Sequence, residues 1–272
     1  MIFSSLDLAP EIQQALDACG YTEMTAIQEL AIIPARRGRD ILANAQTGTG
    51  KTAAFALPIL QQMHSNPQPV EPGYPRALIL SPTRELAEQL TETISRYAKF
   101  TPLTITALYG GVKLSTQEKK LKAGSDIIIA TPGRLLELLE NNSVSLANVE
   151  FVVLDEADRM LDMGFIADVQ ALLQKTPKKR QTLLFSATMS QPVKELAHKI
   201  LTKHEVVSVA KQNAIADNIK HVVYPVEERR KAELFVELIE RHNWFKVLVF
   251  TSTKAQADAL IKDLKRVKIK SA

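Results

Sequence analysis

The residues Ala45-Gln46-Thr47-Gly48-Thr49-Gly50-Lys51-Thr52 have the composition and spacing of a phosphate-binding loop. They follow a short apolar run at 41–43 and precede a run with helical apolar spacing at 53–63. Strand, glycine-bearing loop and helix is the order that such a loop requires. The glycines would let backbone N–H groups face phosphate oxygens, Lys51 would reach the outer phosphates, and the Thr52 hydroxyl would bind Mg²⁺. The chemistry predicted here is therefore that of a nucleoside triphosphate.

Two adjacent carboxylates, Asp155 and Glu156, follow another apolar run at 151–154. A nucleotide hydrolase of this kind needs one acid to hold Mg²⁺, often through water, and a second group to orient or deprotonate the attacking water. Asp155 suits the first role and Glu156 the second. We expect Asp158 and Arg159 to bridge to neighbouring elements instead.

Short apolar runs alternate with longer helical ones from residue 40 onward, which predicts an α/β fold with a parallel sheet and helices on both faces. The runs show little polar alternation, as expected for strands that are buried on both sides. The predicted strands are 41–43, 77–80, 105–108, 127–130, 151–154, 182–185 and 206–209.

Polar or glycine-bearing clusters follow five of these runs, and the carboxyl ends of parallel strands form one edge of a sheet, where ligands bind. Arg84 and Arg134 lie in two of the clusters. With backbone N–H groups of Gly111 and Gly133, these arginines could hold successive phosphates of a single nucleic-acid strand. The net charge of +4 permits such a partner.

Cys19 is the only cysteine, so no internal disulfide can form and a reducing compartment is suitable. The first residues lack the basic and apolar regions of a signal peptide, and no apolar run has membrane-spanning length. We therefore expect a cytoplasmic protein with no membrane association, and a monomer.

Taken together, the motifs resemble those of the DEAD-box RNA helicase family, most closely its bacterial RhlE-type branch. Members of that family commonly begin the phosphate loop with Ala, as Ala45 does here. Residues 20–28 resemble the family's adenine-recognition motif, and Phe3 stands where the family has an isolated upstream aromatic. The other matching motifs are Pro82-Thr83-Arg84-Glu85-Leu86, Gly110-Gly111, Thr131-Pro132-Gly133-Arg134, Asp155-Glu156-Ala157-Asp158 and Ser186-Ala187-Thr188.

The resemblance implies a RecA-like fold, ATP and Mg²⁺ as cofactors, and RNA as a partner that is bound with little sequence specificity. Tyr21 would stack on adenine while Gln28 hydrogen-bonds its edge, and Ser186 and Thr188 would couple hydrolysis to RNA binding. The residues expected to grip the RNA backbone are Arg84, Gly111, Thr131, Gly133 and Arg134. Family members close two RecA-like domains over ATP and RNA and locally unwind short duplexes or remodel RNA–protein complexes.

The domain boundaries expected from this pattern are an ATP-binding RecA-like domain at 1–209, including an adenine-recognition region at 1–38, a linker at 210–218 and the start of a second RecA-like domain at 219–272. In the last segment we expect strands at 219–226 and 246–251 and helices at 228–242 and 253–265. The later second-domain motifs, including the arginine-rich one, do not occur in these residues. We therefore expect a C-terminally truncated chain that binds ATP but hydrolyses it poorly.

Two other functions remain open at the level of sequence. One is a P-loop ATPase that acts on DNA, against which the Gln28 motif and Asp155–Asp158 argue. The other is a non-catalytic, ATP-gated RNA clamp, against which Lys51 and Glu156 argue.

Overall fold

Seven parallel strands form one sheet in the computed structural model, which describes residues 1–209, 220 and 222–271. The spatial order of the strands is β3-β4-β2-β5-β6-β1-β7, and every pairing is parallel. The strands are β1 (Ile41–Asn44), β2 (Ala77–Leu80), β3 (Ile105–Leu108), β4 (Ile127–Ala130), β5 (Phe151–Leu154), β6 (Gln181–Ser186) and β7 (Glu205–Ser208).

Helices cover both faces of this sheet, as parallel strands require. A 3₁₀ turn at Phe3–Leu6 precedes them. The helices are α1 (Pro10–Ala18), α2 (Ala26–Arg36), α3 (Lys51–Ser65), α4 (Arg84–Tyr97), α5 (Leu114–Lys122), α6 (Pro132–Glu140), α7 (Ala157–Asp162), α8 (Ile166–Gln174) and α9 (Gln191–Ile200).

Alternate residues of each central strand enter two separate apolar cores, because successive side chains of a strand point to opposite faces. In β5, Val153 packs into the core with α1 to α4, whereas Val152 and Leu154 pack into the core with α6 to α9. The predicted α/β class with helices on both faces is confirmed. All seven predicted strands are present, three with bounds that differ by one residue at one or both ends.

The chain divides into two compact units, Met1–Asn213 and Ala214–Ala272. The second unit contains a 3₁₀ turn at Glu228–Arg230, α10 (Lys231–His242) and α11 (Lys254–Arg266), which match the two predicted helices. The predicted linker at 210–218 lies outside the described residues.

The prediction of two strands in this unit is wrong for the residues that the structure describes. Residues 222–227 and 246–251 form no strand, and within 222–271 neither run has a hydrogen-bonded neighbour. Apolar β-branched and aromatic residues favour a strand only where a pairing partner and a covering layer exist. Here Leu248 and Phe250 are 80% and 88% exposed. None of the described helices is long and apolar enough to cross a membrane.

The core beneath the sheet contains an edge-to-face aromatic pair that should dominate its stability. Phe55 and Phe185 are fully buried, and their ring centroids are 5.3 Å apart at 63°. We expect Phe55→Ala to lower the free energy of unfolding by about 3–5 kcal/mol, because it removes buried area and leaves a cavity. Urea denaturation would measure this change.

Phe100→Ala is the matched control, because Phe100 is partly exposed. It should cost less than about 1 kcal/mol. Equal losses for the two variants would contradict the packing described here.

Candidate functional site

The predicted phosphate loop joins the end of β1 to the start of α3. Ala45 is buried, and its N–H donates to the carbonyl of Ser186 at 3.0 Å, so the loop leaves the sheet beside the end of β6. Gly48 and Gly50 have φ angles of +83° and +91°, which glycine adopts without strain. Gln46 and Thr47 are exposed, and the Thr49 hydroxyl donates to the Gln46 carbonyl at 2.7 Å.

Lys51 begins α3 directly after Gly50, and its charge is buried. Its Nζ is 3.8 Å from Asp155 Oδ1, and the two side chains are only 6% and 9% exposed. No hydrogen-bond partner reaches Lys51 Nζ among the described residues. Burying an ammonium without such a partner costs free energy. A phosphate oxygen of a nucleotide bound to this loop would supply the missing acceptor.

Asp155 is the second charge of the site. The pKa of its carboxyl is raised to about 6, chiefly by burial; the Lys51 charge and the Glu156 N–H act to lower this pKa, and the charges of Glu156 and Asp158 act to raise it. Within the described residues no three His, Cys, Asp or Glu side chains gather as a metal cage. The donors Thr52 and Asp155 fit Mg²⁺, which usually binds through one or two protein groups, phosphates and water.

Glu156 connects the strand end to the phosphate loop. Its Oε1 accepts from the Thr47 hydroxyl at 3.1 Å, and its Oε2 accepts from Arg159 at 3.3 Å. Its backbone is left-handed with φ +54°, a conformation that costs a non-glycine residue about 1 kcal/mol. Such strain at the start of α7 is typical of functional positions.

Asp158 bridges to the end of β6, as predicted. Its Oδ2 accepts from both the N–H and the hydroxyl of Thr188, at 2.9 and 3.0 Å. The Ser186 hydroxyl donates to the Thr188 carbonyl at 2.7 Å. These contacts place Ser186 and Thr188 against the Asp155–Asp158 segment.

Gln28 is buried against the phosphate loop. Its Nε2 donates to the Gly50 carbonyl at 3.0 Å, and its Oε1 accepts from the Thr25 N–H at 2.8 Å. The default expectation for a helical glutamine, exposure to solvent, fails here because both ends of the amide have backbone partners. The structure thus links the start of α2 to the loop in front of α3.

Tyr21 belongs to an aromatic group beside this region. Its ring stacks on Phe3 with centroids 5.8 Å apart, and its hydroxyl lies 3.1 Å from that of Tyr97. Burial, followed by the contact with Tyr21, raises the pKa of Tyr97. Tyr21 remains 37% exposed, so part of its surface is open to a ligand.

The predicted nucleic-acid residues lie on the same sheet edge, at the ends of β2, β3 and β4. Arg84 is exposed, pairs with Glu88 at 3.2 Å and covers the Tyr109 ring at 5.1 Å. A Cβ added to Gly111 would lie 3.5 Å from Arg84 Nη1, so the loop after β3 is close to this guanidinium. Thr131 and Gly133 begin α6, and Gly133 is exposed.

Arg134 differs from Arg84, because its guanidinium is engaged inside the protein. Its side chain is 10% exposed and pairs with Glu137 at 2.9 Å, although that contact lacks the direction of a hydrogen bond. Its Nη1 donates to the Val112 carbonyl and to Gln117 Oε1, at 3.0 and 3.1 Å. Gln117 was missed by the sequence reasoning. The only available signal is its place between Leu114 and Leu121 on the apolar side of a charged helix.

A family model described as DEAD/DEAH box helicase matches residues 25–196, which contain all of the site except Tyr21. The chain belongs to this family. The fold is similar to a crystal structure of a DEAD box protein from Methanococcus jannaschii, with a TM-score of 0.71 and 34% identity. The match covers 98% of the present chain and 71% of the Methanococcus jannaschii chain.

Curated relatives of the DEAD-box chain carry helicase names. The ATP-dependent RNA helicase RhlB of Pseudomonas syringae pv. tomato is 40% identical over 99% of this chain and 69% of the relative. The DEAD-box ATP-dependent RNA helicase CshA of Bacillus cereus is 38% identical over 95% of this chain. The chain spans about half of the length of the CshA relatives and 65–69% of the RhlB relatives.

The contact between Gly50 and Gln28 can be tested in the nucleotide-free protein. A Cβ at Gly50 would lie 2.5 Å from Gln28 Nε2, whereas one at Gly48 would meet nothing within 4 Å. Both positions have positive φ, so both alanine variants suffer backbone strain. We expect Gly50→Ala to lower the free energy of unfolding by about 1–3 kcal/mol more than Gly48→Ala, as measured by urea denaturation.

Gly48→Ala is the matched control for strain alone. Equal destabilisation by the two variants would show that Gln28 does not confine the loop.

The raised pKa of Asp155 predicts a pH dependence with a definite sign. Below about pH 6 the carboxyl becomes neutral and loses its value as a magnesium ligand. In the presence of Mg²⁺, we expect the wild type to bind ATP more tightly than Asp155→Asn. The ratio of the two affinities should fall by about tenfold for each pH unit below about pH 6. Titration of ATP itself affects both proteins equally.

In the nucleotide-free protein, a fall in pH has the opposite effect, because it raises the contribution of Asp155 to folding stability. The folded state holds the Asp155 proton more tightly than the unfolded chain, so this group adds stability as the pH falls through about 6 and loses it as the pH rises. A pH-independent difference between wild type and Asp155→Asn, in both measurements, would contradict the assigned environment.

Proposed function

We propose that this protein is an ATP-dependent RNA helicase that hydrolyses ATP and locally unwinds short RNA duplexes or remodels RNA–protein complexes. The observation that carries the proposal is the buried Lys51 ammonium, which has a carboxylate 3.8 Å away but no hydrogen-bond acceptor in the part of the chain that the structure describes. A phosphate oxygen would fill that place. The family match and the helicase names of the relatives support the same reaction.

ATP would bind between the start of α3 and the ends of β5 and β6. Residues 45–52 would surround the phosphates, with Lys51 on the outer ones, and the N-terminus of α3 adds a favourable dipole. Tyr21 and Gln28 would recognise adenine. Mg²⁺, held by the Thr52 hydroxyl and by Asp155 through water, would screen the phosphate charge during hydrolysis.

Glu156 would accept a proton from the attacking water. Its carboxylate has one oxygen toward Thr47 and the other toward Arg159, so the side chain is fixed beside the phosphate loop. A general base needs such positioning before it needs a shifted pKa. Ser186 and Thr188, tied to Asp158, would transmit the state of this segment to bound RNA.

RNA would lie along the ends of β2, β3 and β4. Arg84 is an exposed cation in this row, and two exposed glycines would offer backbone N–H groups, Gly111 from a turn and Gly133 from the start of α6 after Thr131. Such contacts bind phosphates and carry no base information. We propose that RNA is bound with little sequence specificity, and that discrimination against DNA depends on the 2′-hydroxyl.

Several finer features belong to the same proposal. Residues 1–209 would be the ATP-binding RecA-like domain, 210–218 a linker, and 219–272 the start of a second RecA-like domain, in a monomer. The RhlE-type branch stays a prediction, because the relatives compared above are named RhlB and CshA. The 272 residues contain no later second-domain motif, so their own turnover should be low.

Steady-state ATP hydrolysis by the 272-residue chain, with and without single-stranded RNA, tests the proposal beside direct ATP binding. We expect ATP to bind, and Lys51→Ala to weaken that binding by tenfold or more, at about 1.4 kcal/mol per factor of ten. Turnover should be low, because an arginine finger contributes about 10³–10⁵ in rate to phosphoryl transfer. Glu156→Gln should reduce the remaining turnover while ATP binding persists.

Absence of ATP binding would refute the proposed nucleotide site. Strong RNA-stimulated turnover would refute the claim that these residues need a further arginine. Full turnover by Glu156→Gln would refute the role of Glu156 in hydrolysis. A Glu156→Gln variant that keeps all activity in cells would favour the non-catalytic RNA clamp over the enzyme.

A further inference from the structure

Gln117 is a buried polar residue on α5, a helix with four charged side chains. Only Gln117 and Leu121 are buried on α5, whereas Lys119, Lys120 and Lys122 belong to its basic last turn. Gln117 is 3% exposed. A glutamine at a buried helix position is tolerated only when its amide is fully hydrogen-bonded, so its partners indicate why it is there.

Both ends of this amide point at the loop that follows β3. Nε2 donates to the Tyr109 carbonyl at 2.9 Å, and Oε1 accepts from Arg134 Nη1 at 3.1 Å. The orientation of the amide is determined by its neighbours, because a carbonyl needs the donor and a guanidinium needs the acceptor. Arg134 Nη1 donates in turn to the Val112 carbonyl at 3.0 Å.

Gln117 and Arg134 therefore fasten the loop Tyr109-Gly110-Gly111-Val112 at its first and last carbonyl. Between these two points the backbone reverses through Gly111, whose φ is +82°. The Tyr109 ring lies beneath the Arg84 guanidinium at 5.1 Å. Fixing Tyr109 thus also fixes the surface on which the exposed arginine rests.

Arg134 has little left to offer a ligand from the atoms that make these contacts. Nη1 has two N–H groups and two acceptors, and Nε faces Glu137 at 2.9 Å. Glu137 also neutralises the charge of the guanidinium. Arg84, with a side chain 47% exposed and an ion pair only to the exposed Glu88, is the more accessible of the two arginines to a phosphate.

We propose that Gln117 and Arg134 are positioning residues for RNA binding, which hold the Tyr109–Val112 loop in shape, and that Arg134 acts through this loop rather than as a phosphate ligand. The inference rests on the proposed RNA-binding function and names residues that set the geometry of that site. It separates two arginines that sequence reasoning assigned to the same role.

The test is binding of a fluorescein-labelled oligouridylate to the 272-residue chain, followed by fluorescence anisotropy over a series of salt concentrations. The variants are Gln117→Met, Arg134→Met, the double variant and Arg84→Ala. Thr116→Ala, at an exposed position on the same helix, is the matched control. ATP affinity and thermal unfolding are measured for each protein.

Gln117→Met and Arg134→Met should each weaken RNA binding by about 5- to 100-fold, because the first removes the donor to the Tyr109 carbonyl and the second the donor to the Val112 carbonyl. Neither should change the slope of log affinity against log salt. Arg84→Ala should reduce that slope by about one, as expected for a lost phosphate contact. The double variant should bind RNA as tightly as whichever single variant has the lower RNA affinity, because both changes release the same loop. The ATP affinity of these variants should stay within about twofold of wild type.

Gln117→Glu covers the case in which Gln117→Met fails to fold. It keeps the volume and the acceptor for Arg134 but presents an oxygen to the Tyr109 carbonyl, so it should also weaken RNA binding without changing the slope.

Three results would overturn the inference alone, provided that wild type binds and Arg84→Ala weakens binding. The first is that the Gln117 variants bind RNA as tightly as Thr116→Ala. The second is that Arg134→Met reduces the slope of log affinity against log salt by about one, and the third is that the losses of RNA affinity add up in the double variant. Failure of wild type to bind RNA, or no effect of Arg84→Ala, would overturn the proposed RNA site and this inference together.

Discussion

The pairing of a buried ammonium with a buried carboxylate, Lys51 and Asp155, is the constraint on which the rest of the structure depends. Their strands are separated in the sheet by β6, so the pair forms only if β1, β6 and β5 keep their parallel register. Two ions so far from water need further partners, because their mutual attraction offsets only part of the lost hydration. The fold thus holds a charged pair that a phosphate and a metal ion would complete.

The sheet order divides the edge into two neighbouring halves. The strands β1, β5 and β6 lead to Lys51, Asp155 and Ser186, while β2, β3 and β4 lead to the loops with Arg84, Gly111 and Thr131. β2 and β5 are adjacent, and the Asp155 N–H donates to the Leu80 carbonyl at 3.0 Å. A shift of β5 would therefore move both halves.

Sequence reasoning predicted the sheet well because its strands are short apolar runs separated by glycine, proline and polar residues. It failed for residues 246–251, where the same apolar pattern lacks strand neighbours in the described part of the second unit. In the site, motif spacing predicted that Lys51 and Asp155 lie together, and they are 3.8 Å apart, but it did not distinguish Arg84 from Arg134. That difference depends on Gln117 and Glu137, which approach Arg134 in space and carry no motif of their own.

Gln28 has one amide that serves two parts of the chain, Thr25 and the Gly50 carbonyl. In the proposed function Gln28 also recognises adenine, so base preference and phosphate affinity would be thermodynamically linked, since a change in one hydrogen bond of this amide alters the geometry of the other. Evolution of a different base preference at this position would have to re-optimise the loop at the same time. Residues 20–28 and the phosphate loop would then change together among proteins of this type, rather than one residue at a time.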